Sequence, residues 1–223
     1  MRVYADNAAT TKMSRIAIDA MAEYMENHIG EDFNYSVGFT YSHAKNEIVN
    51  MDEPNLKTSY RKREGHPINQ YFGLVCDGFV TQADIDGGKL PVSTFGNVQA
   101  GDLKYRDMNS DGFIDERDET FIGYSDIPEN TFALSLNANY KGWGFSVMFQ
   151  GVDNVSRYYD AEAMYAFVAG GKVKEHHLDR WNPALSEAQN LAQAKYPLLH
   201  YDAYGDHNQR QNSFFLKNGA CVR

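Results

Sequence analysis

From Thr131 to Val152 the chain alternates bulky apolar with small residues, breaks for two residues, and alternates again. Phe132, Leu134, Leu136, Ala138 and Tyr140 are interleaved with Ala133, Ser135, Asn137 and Asn139, and after Lys141 and Gly142 the residues Trp143, Phe145, Val147 and Phe149 are interleaved with Gly144, Ser146, Met148 and Gln150. Successive side chains of a strand point to opposite faces, so a period of two predicts two strands with one apolar face each. With Lys141 and Gly142 as a two-residue turn, Tyr140 stands opposite Trp143, Ala138 opposite Phe145 and Leu136 opposite Val147. Both apolar stripes then share one side of the sheet, whereas a slip of one residue would set them on opposite sides.

A second stretch behaves the same way. Phe33, Tyr35, Val37, Phe39 and Tyr41 alternate with Asn34, Ser36, Gly38, Thr40 and Ser42. Each of these strands offers about ten residues, enough to cross a hydrocarbon layer at a tilt, for which about 9 to 11 are needed. A soluble sandwich with one buried face shows the same alternation. The connections favour the membrane pattern, because a two-residue link at one end and links of many tens of residues at the other match the short turns and long outer loops of a spanning barrel. Tyr140 and Trp143 flank the short turn, where an interfacial aromatic girdle belongs.

The rest of the chain is less regular. Aromatic content of 13%, with 15 Tyr, agrees with much β-structure. Residues 43–130 carry few periodic signals apart from a helical turn near TQADIDGGK, and residues 153–211 read as a long irregular stretch. The adjacent His176 and His177 would point different ways on a regular element, so exposed polar residues are expected there rather than paired ligands. Cys76 and Cys221 are too few and too distant for a metal knuckle or a disulfide framework and read as small buried apolar residues. The net charge of −9, with RKR at 61–63 as the one short basic run, argues against nucleic acid as a partner; that run reads as a solvated loop. No apolar run is long enough for a membrane-spanning helix, and the first residues lack the basic start and apolar core of a secretory signal.

One loop carries candidate chemistry. In DMNSDGFIDERD, residues 107–118, oxygen-bearing side chains fall at Asp107, Asn109, Asp111, Asp115 and Asp118, with Gly112 at the bend. This is the spacing of a twelve-residue calcium loop, in which the carbonyl of Phe113 would supply the seventh-position ligand. Without a cation the carboxylates are expected to crowd one another. Asp118 is shorter than the usual bidentate Glu and neither flank reads as a helix, so a helix-loop-helix sensor is excluded. The alternative is a surface turn whose side chains satisfy their own backbone.

Two stretches resemble known families. Residues 13–29 show helical spacing behind a cap at Ser14, and Tyr4 to Thr11 resemble the opening of the cysteine desulfurases. The lysine, histidine and cysteine on which those pyridoxal-phosphate enzymes depend cannot be placed here, so neither desulfurase activity nor pyridoxal phosphate is expected. From about residue 31, GHPINQYFGLVCDGFV, then TFGNVQAGDLKYRDMNSDGFIDERDETFIGYSDIPENTFALSLNANYKGWGFSVMFQGVDNVSRY, RWNP, KYPLL and NSFFLKNGA resemble the C-terminal part of the SusC/RagA family of TonB-linked outer-membrane proteins. The resemblance implies a plugged barrel of about 22 strands that imports glycans or peptides with a SusD-like lipoprotein lid and energy from TonB. The expectations are therefore a mainly β chain in two parts, a helical segment at 1–30 and antiparallel strands of a partial outer-membrane β-barrel with long extracellular loops at 31–223, the whole a fragment facing outer-membrane lipid and inactive alone. The competing reading makes residues 50–130 a soluble extracellular calcium-stabilised β-domain.

Overall fold

The computed structural model describes residues 33–53, 58–168, 171–201 and 205–223. The helix expected at 13–29, the desulfurase-like segment and the boundary near residue 30 lie outside these residues. Twelve strands are described: β1 Phe33–His43, β2 Gln70–Gly73, β3 Cys76–Phe79, β4 Val92–Ser93, β5 Leu103–Tyr105, β6 Phe113–Ile114, β7 Thr120–Ser125, β8 Asn130–Tyr140, β9 Trp143–Asp153, β10 Ser156–Tyr158, β11 Leu216–Asn218 and β12 Cys221–Val222. Short helices cover Gln82–Asp86 (α1), Ala161–Met164 (α2), Glu187–Gln193 (α3) and Gly205–Gln209 (α4). The fold is mainly β, and of the paired strands only β4 and β6 run parallel. None of the described helices is long and apolar enough to cross a membrane, which leaves strands free to do so.

The chain divides into two compact units. The first contains the described residues up to Asn46 with Asp126–Val155 and Gly219–Arg223, and is built on the sheet β1-β8-β9-β12. Its central hairpin has the expected register: Tyr140 faces Trp143, Ala138 faces Phe145 and Leu136 faces Val147. Lys141 (φ 45°) and Gly142 (φ 87°) both adopt positive φ, the signs of a type I′ turn, whose twist suits a two-residue hairpin. β1 adds to the other edge of β8 with Phe33 opposite Tyr140, Val37 opposite Leu136 and Tyr41 opposite Phe132. Away from the turn, the chain leaves the sheet after His43, returns at Asn130 opposite it, leaves again after Asp153 and returns at Cys221 opposite Val152.

The second unit, Glu47–Ser125 with Ser156–Asn218, contains the residues the sequence leaves irregular. They close around a buried cluster of Leu74, Leu103, Tyr105, Ile114, Tyr165, Tyr196 and Phe215. Phe215 is fully buried, with the rings of Tyr165 at 5.1 Å and Phe214 at 5.0 Å meeting it edge-on. The stretch at 153–211 is thus not a loose connection but supplies Tyr165 and Tyr196 to a core. α1 forms where expected, with Thr81 and Asp84 as a reciprocal capping box.

Few of this unit's backbone groups sit in long ladders, so side chains must take over, since a buried N–H or C=O without a partner is costly. Buried asparagines do much of this. Asn190 accepts from the Asn182 N–H and donates to the carbonyls of Asn182 and Leu185, Asn208 accepts from the Leu103 N–H, and Asn212 accepts from the N–H groups of Phe214 and Phe215. Asp102, almost without exposure, accepts from Asn208, from the Gln99 N–H and from the ring of His200.

Candidate functional site

The acidic loop lies in the second unit between β5 and β7, without a flanking α-helix. Its first half is wound on its own backbone. Asp107 accepts from the N–H groups of Asp111 and Gly112, Asn109 accepts from that of Asp111, and Asp111 accepts from that of Phe113. Ser110 (φ 59°) and Gly112 (φ 82°) make the bend. Phe113, whose carbonyl the spacing makes a ligand, lies in β6 opposite Val92.

The second half is held by charge. Arg117 grips Asp115 with Nε at 2.9 Å and a terminal nitrogen at 2.6 Å, and the same nitrogen reaches Asp111 at 2.9 Å. These hydrogen bonds hold the Asp115 carboxyl below its usual pKa. Asp118 is fully buried, with one oxygen on the Met108 N–H and the other on the Asp115 N–H, both at 2.9 Å. Its short side chain staples the two ends of the loop together.

The crowding expected of these carboxylates without an ion is therefore relieved in part within the chain, by N–H groups and one guanidinium. The oxygens are of the type a hard cation takes, and an ion would have to draw Asp111 and Asp115 away from Arg117. No group of three or more His, Cys, Asp or Glu side chains arranged to hold a metal ion occurs among the described residues. Calcium at this loop is thus a proposal carried by spacing.

The sheet has two unlike faces. One carries Phe33, Tyr35, Val37, Phe39 and Tyr41, then Phe132, Leu134, Leu136, Ala138 and Tyr140, then Trp143, Phe145, Val147 and Phe149, with no charged residue among them. This face is uncovered: Phe39 is 59% exposed, Phe145 62% and Trp143 83%. The other presents mostly Ser, Asn, Thr and Gln, with Ala133 and an exposed Met148 among them, and is cross-linked where Ser146 donates to Asn137 at 2.6 Å and Asn137 donates to Ser36 at 3.1 Å. Thr40, Ser42, Thr131, Gln150, Cys221 and Arg223 line a concavity on that side.

Three smaller expectations need correction. His177 is fully buried rather than exposed, because the turn Glu175–Asp179 folds its ring inward onto the Met164 carbonyl. Cys221 is exposed at the sheet edge, and Cys76 is half-buried, donates to the Gly78 carbonyl and has its thiol pKa pushed up to about 11 by burial. The RKR run is not wholly solvated, since the Arg61 guanidinium packs over the Phe72 ring. His207, buried with Nε2 on the Leu103 carbonyl and Nδ1 on the Ser93 hydroxyl, carries no sequence signal that would single it out; burial lowers its pKa.

With this geometry in hand, comparison with known proteins is informative. No protein-family model matches the chain. Over 136 residues it is 23% identical to the TonB-dependent receptor P3 of Formosa agariphila, a match covering 56% of this chain and 13% of that protein. The RagAB peptide importer in its "open-open" state superposes on 88% of this chain with a TM-score of 0.58 at 15% identity. A structure of the RagAB peptide transporter superposes over the same share with a TM-score of 0.55. The chain resembles part of a TonB-linked receptor of the SusC/RagA kind. It spans 20% of the RagAB chain with which it shares its fold. The proteins matched are a receptor and an importer, not enzymes. Within the second unit, RWNP and KYPLL join where the Trp181 N–H meets the Tyr196 carbonyl, and NSFFLKNGA delivers Phe215 to the core.

Proposed function

We propose that this chain forms part of the barrel wall and outer loops of a TonB-linked importer in a bacterial outer membrane, taking up glycans or peptides together with a SusD-like lipoprotein. The observation that carries the reading is the uncovered apolar face of β1, β8 and β9 set against a hydroxyl- and amide-lined face. A lipid-facing strand needs every backbone group paired and its outward side chains apolar; β8, with a partner on each side, meets the first condition, and from Phe132 to Tyr140 its outward side chains meet the second, with Asn130 at the end away from the turn as the polar exception. The likeness to a TonB-dependent receptor and to a peptide importer supports the same reading, with the substrate class left at glycan or peptide.

The test is a spin-label scan of residues 132–138 with the chain reconstituted in phospholipid vesicles. Labels at 132, 134, 136 and 138 should be reached by lipid-soluble oxygen and those at 133, 135 and 137 by a water-soluble quencher. Equal access to the water-soluble quencher at all positions would overturn the reading.

A second reading, an extracellular calcium-stabilised β-domain, is favoured by the second unit having a core of its own. In that reading calcium would tighten the loop 107–118 without a large conformational change. Calorimetry on the chain with and without chelator tests it.

A further inference from the structure

His177 has its two ring nitrogens committed in opposite senses. It lies in the 3-10 turn Glu175–Asp179 with no solvent exposure. Nδ1 accepts the backbone N–H of Lys174 at 2.8 Å, so that nitrogen carries no proton. Nε2 lies 2.9 Å from the Met164 carbonyl oxygen, which can only accept, so the ring hydrogen sits on Nε2. The same oxygen, at the end of α2, receives the Nε2–H of His176 at 3.2 Å and the Tyr196 hydroxyl at 3.0 Å. One carbonyl thus ties the turn at 175–179 and the segment around Tyr196 to α2.

Only the neutral ring meets both partners. An imidazolium would aim a second N–H at the Lys174 N–H and break that hydrogen bond. The charged and titratable groups nearest His177 are His176, its centroid 4.0 Å away, Lys174, the Tyr196 phenol, its ring 4.7 Å away, and Arg180, whose guanidinium donates to the His177 carbonyl at 3.3 Å. His176 and Lys174 both oppose a positive charge. Burial is the largest effect and outweighs the Met164 hydrogen bond, which favours the charged ring; with the charges of His176 and Lys174 it holds the His177 pKa below the ordinary histidine value.

We propose that His177 is a pH-sensitive latch in the second unit, whose protonation on mild acidification frees the turn Glu175–Asp179 from the Met164 carbonyl while leaving the sheet unit unchanged. Because the folded ring is harder to protonate than the unfolded one, the latch contributes fully above the ordinary histidine pKa of about 6.5. Its contribution is lost as pH falls below that value and through the lowered folded one. Nothing in the alternation of the sheet or in the acidic loop takes part.

Hydrogen exchange on the full chain in detergent micelles at pH 7.5 and 5.5, corrected for the intrinsic pH dependence of exchange, tests the latch. In the wild type, protection across 171–181 should fall several-fold at the lower pH while 131–152 keeps its protection. His177→Gln keeps an acceptor and a donor without a titrating group, and should show the same protection across 171–181 at both values. A wild-type response retained in His177→Gln, or no response in the wild type, would overturn the proposal. Should the variant not fold, nuclear magnetic resonance titration of the wild-type ring decides: a midpoint at or above about 6.5, or a ring still wholly neutral at pH 5.5, rejects the latch, and a midpoint below about 6.5 with protonation under way at pH 5.5 supports it.

Discussion

The four-stranded sheet and the second unit handle apolar side chains in opposite ways. In the sheet, long ladders pair the backbone groups of β8 on both sides, and the large side chains, Phe39, Phe145 and Trp143 among them, point outward and stay uncovered. In the second unit the large side chains, Phe215, Leu74 and Leu103, point inward, and the short irregular segments around them lean on Asn190, Asn208, Asn212 and Asp102 for hydrogen bonds. Both arrangements keep polar backbone groups satisfied. On the proposed reading they differ in the solvent each meets: a sheet that completes its own hydrogen bonding can face lipid, whereas a unit that buries its aromatics suits water.

The contrast is sharpest in the effect of truncating an aromatic ring. Phe215→Ala should cost about 3–5 kcal/mol, because it empties the centre of a packed core. Phe145→Ala, on a side chain already 62% exposed, should cost less than about 1 kcal/mol in detergent. Denaturant unfolding followed by Trp181 fluorescence in a Trp143→Phe background for the first and by loss of strand signal for the second measures both. Equal costs would erase the distinction.

Next comes charge on the two faces of β8. In a bilayer Leu134→Arg should destabilise the sheet by about 2–4 kcal/mol, and Ser135→Arg, one residue on and facing the other way, by well under half of that. Urea titration in lipid vesicles would show it. A similar penalty at both positions would mean that the sheet is not lipid-facing.

Backbone constraints should give smaller effects. Gly101 has φ 99° and lies with its Cα against the Trp181 indole, so an added methyl group is both strained and overpacked. Gly101→Ala should cost about 1–3 kcal/mol in the second unit. Gly142→Ala, at φ 87° with open space around it, should cost the hairpin about 1 kcal/mol by thermal unfolding.

Acid should separate the units at a lower pH as well. Lys104, bonded at 2.6 Å, followed by the Thr81 backbone N–H, brings the Asp84 carboxyl down to about 2. A depressed carboxylate stabilises above its ordinary value of 3.8 and loses that contribution as pH falls towards about 2. With both partners partly exposed the contribution should be about 1 kcal/mol or less, and Lys104→Met should reduce its pH dependence to the part that the Thr81 hydrogen bonds supply. The smallest effect expected is that of calcium, which must compete with Arg117. Arg117→Ala should be slightly less stable than the wild type without calcium and show a larger rise in Tm on adding millimolar calcium than the wild type. A wild-type rise as large as the variant's would show that the guanidinium is no competitor.

What could be read directly is what repeats locally. The period of two in 131–152 and in 33–42 determined strand, face and register, because a one-residue slip would turn each apolar stripe to the wrong side, and Lys141-Gly142 could supply the two positive φ angles a tight hairpin requires. The spacing of Asp107, Asn109, Asp111, Asp115 and Asp118 likewise announced a tightly wound loop, either a calcium loop or an Asx-rich turn, though not that Arg117 would bridge Asp111 and Asp115 or that Asp118 would be buried on the Met108 and Asp115 N–H groups. The second unit had no such signature. Its core joins Leu74, Leu103 and Phe215 from distant segments, and no period along the chain marks residues brought together by long-range closure. For the same reason His177 could not be told from an exposed histidine: its neighbours Met164 and Tyr196 come from other turns of the chain, and only the folded structure sets their polar groups around one ring.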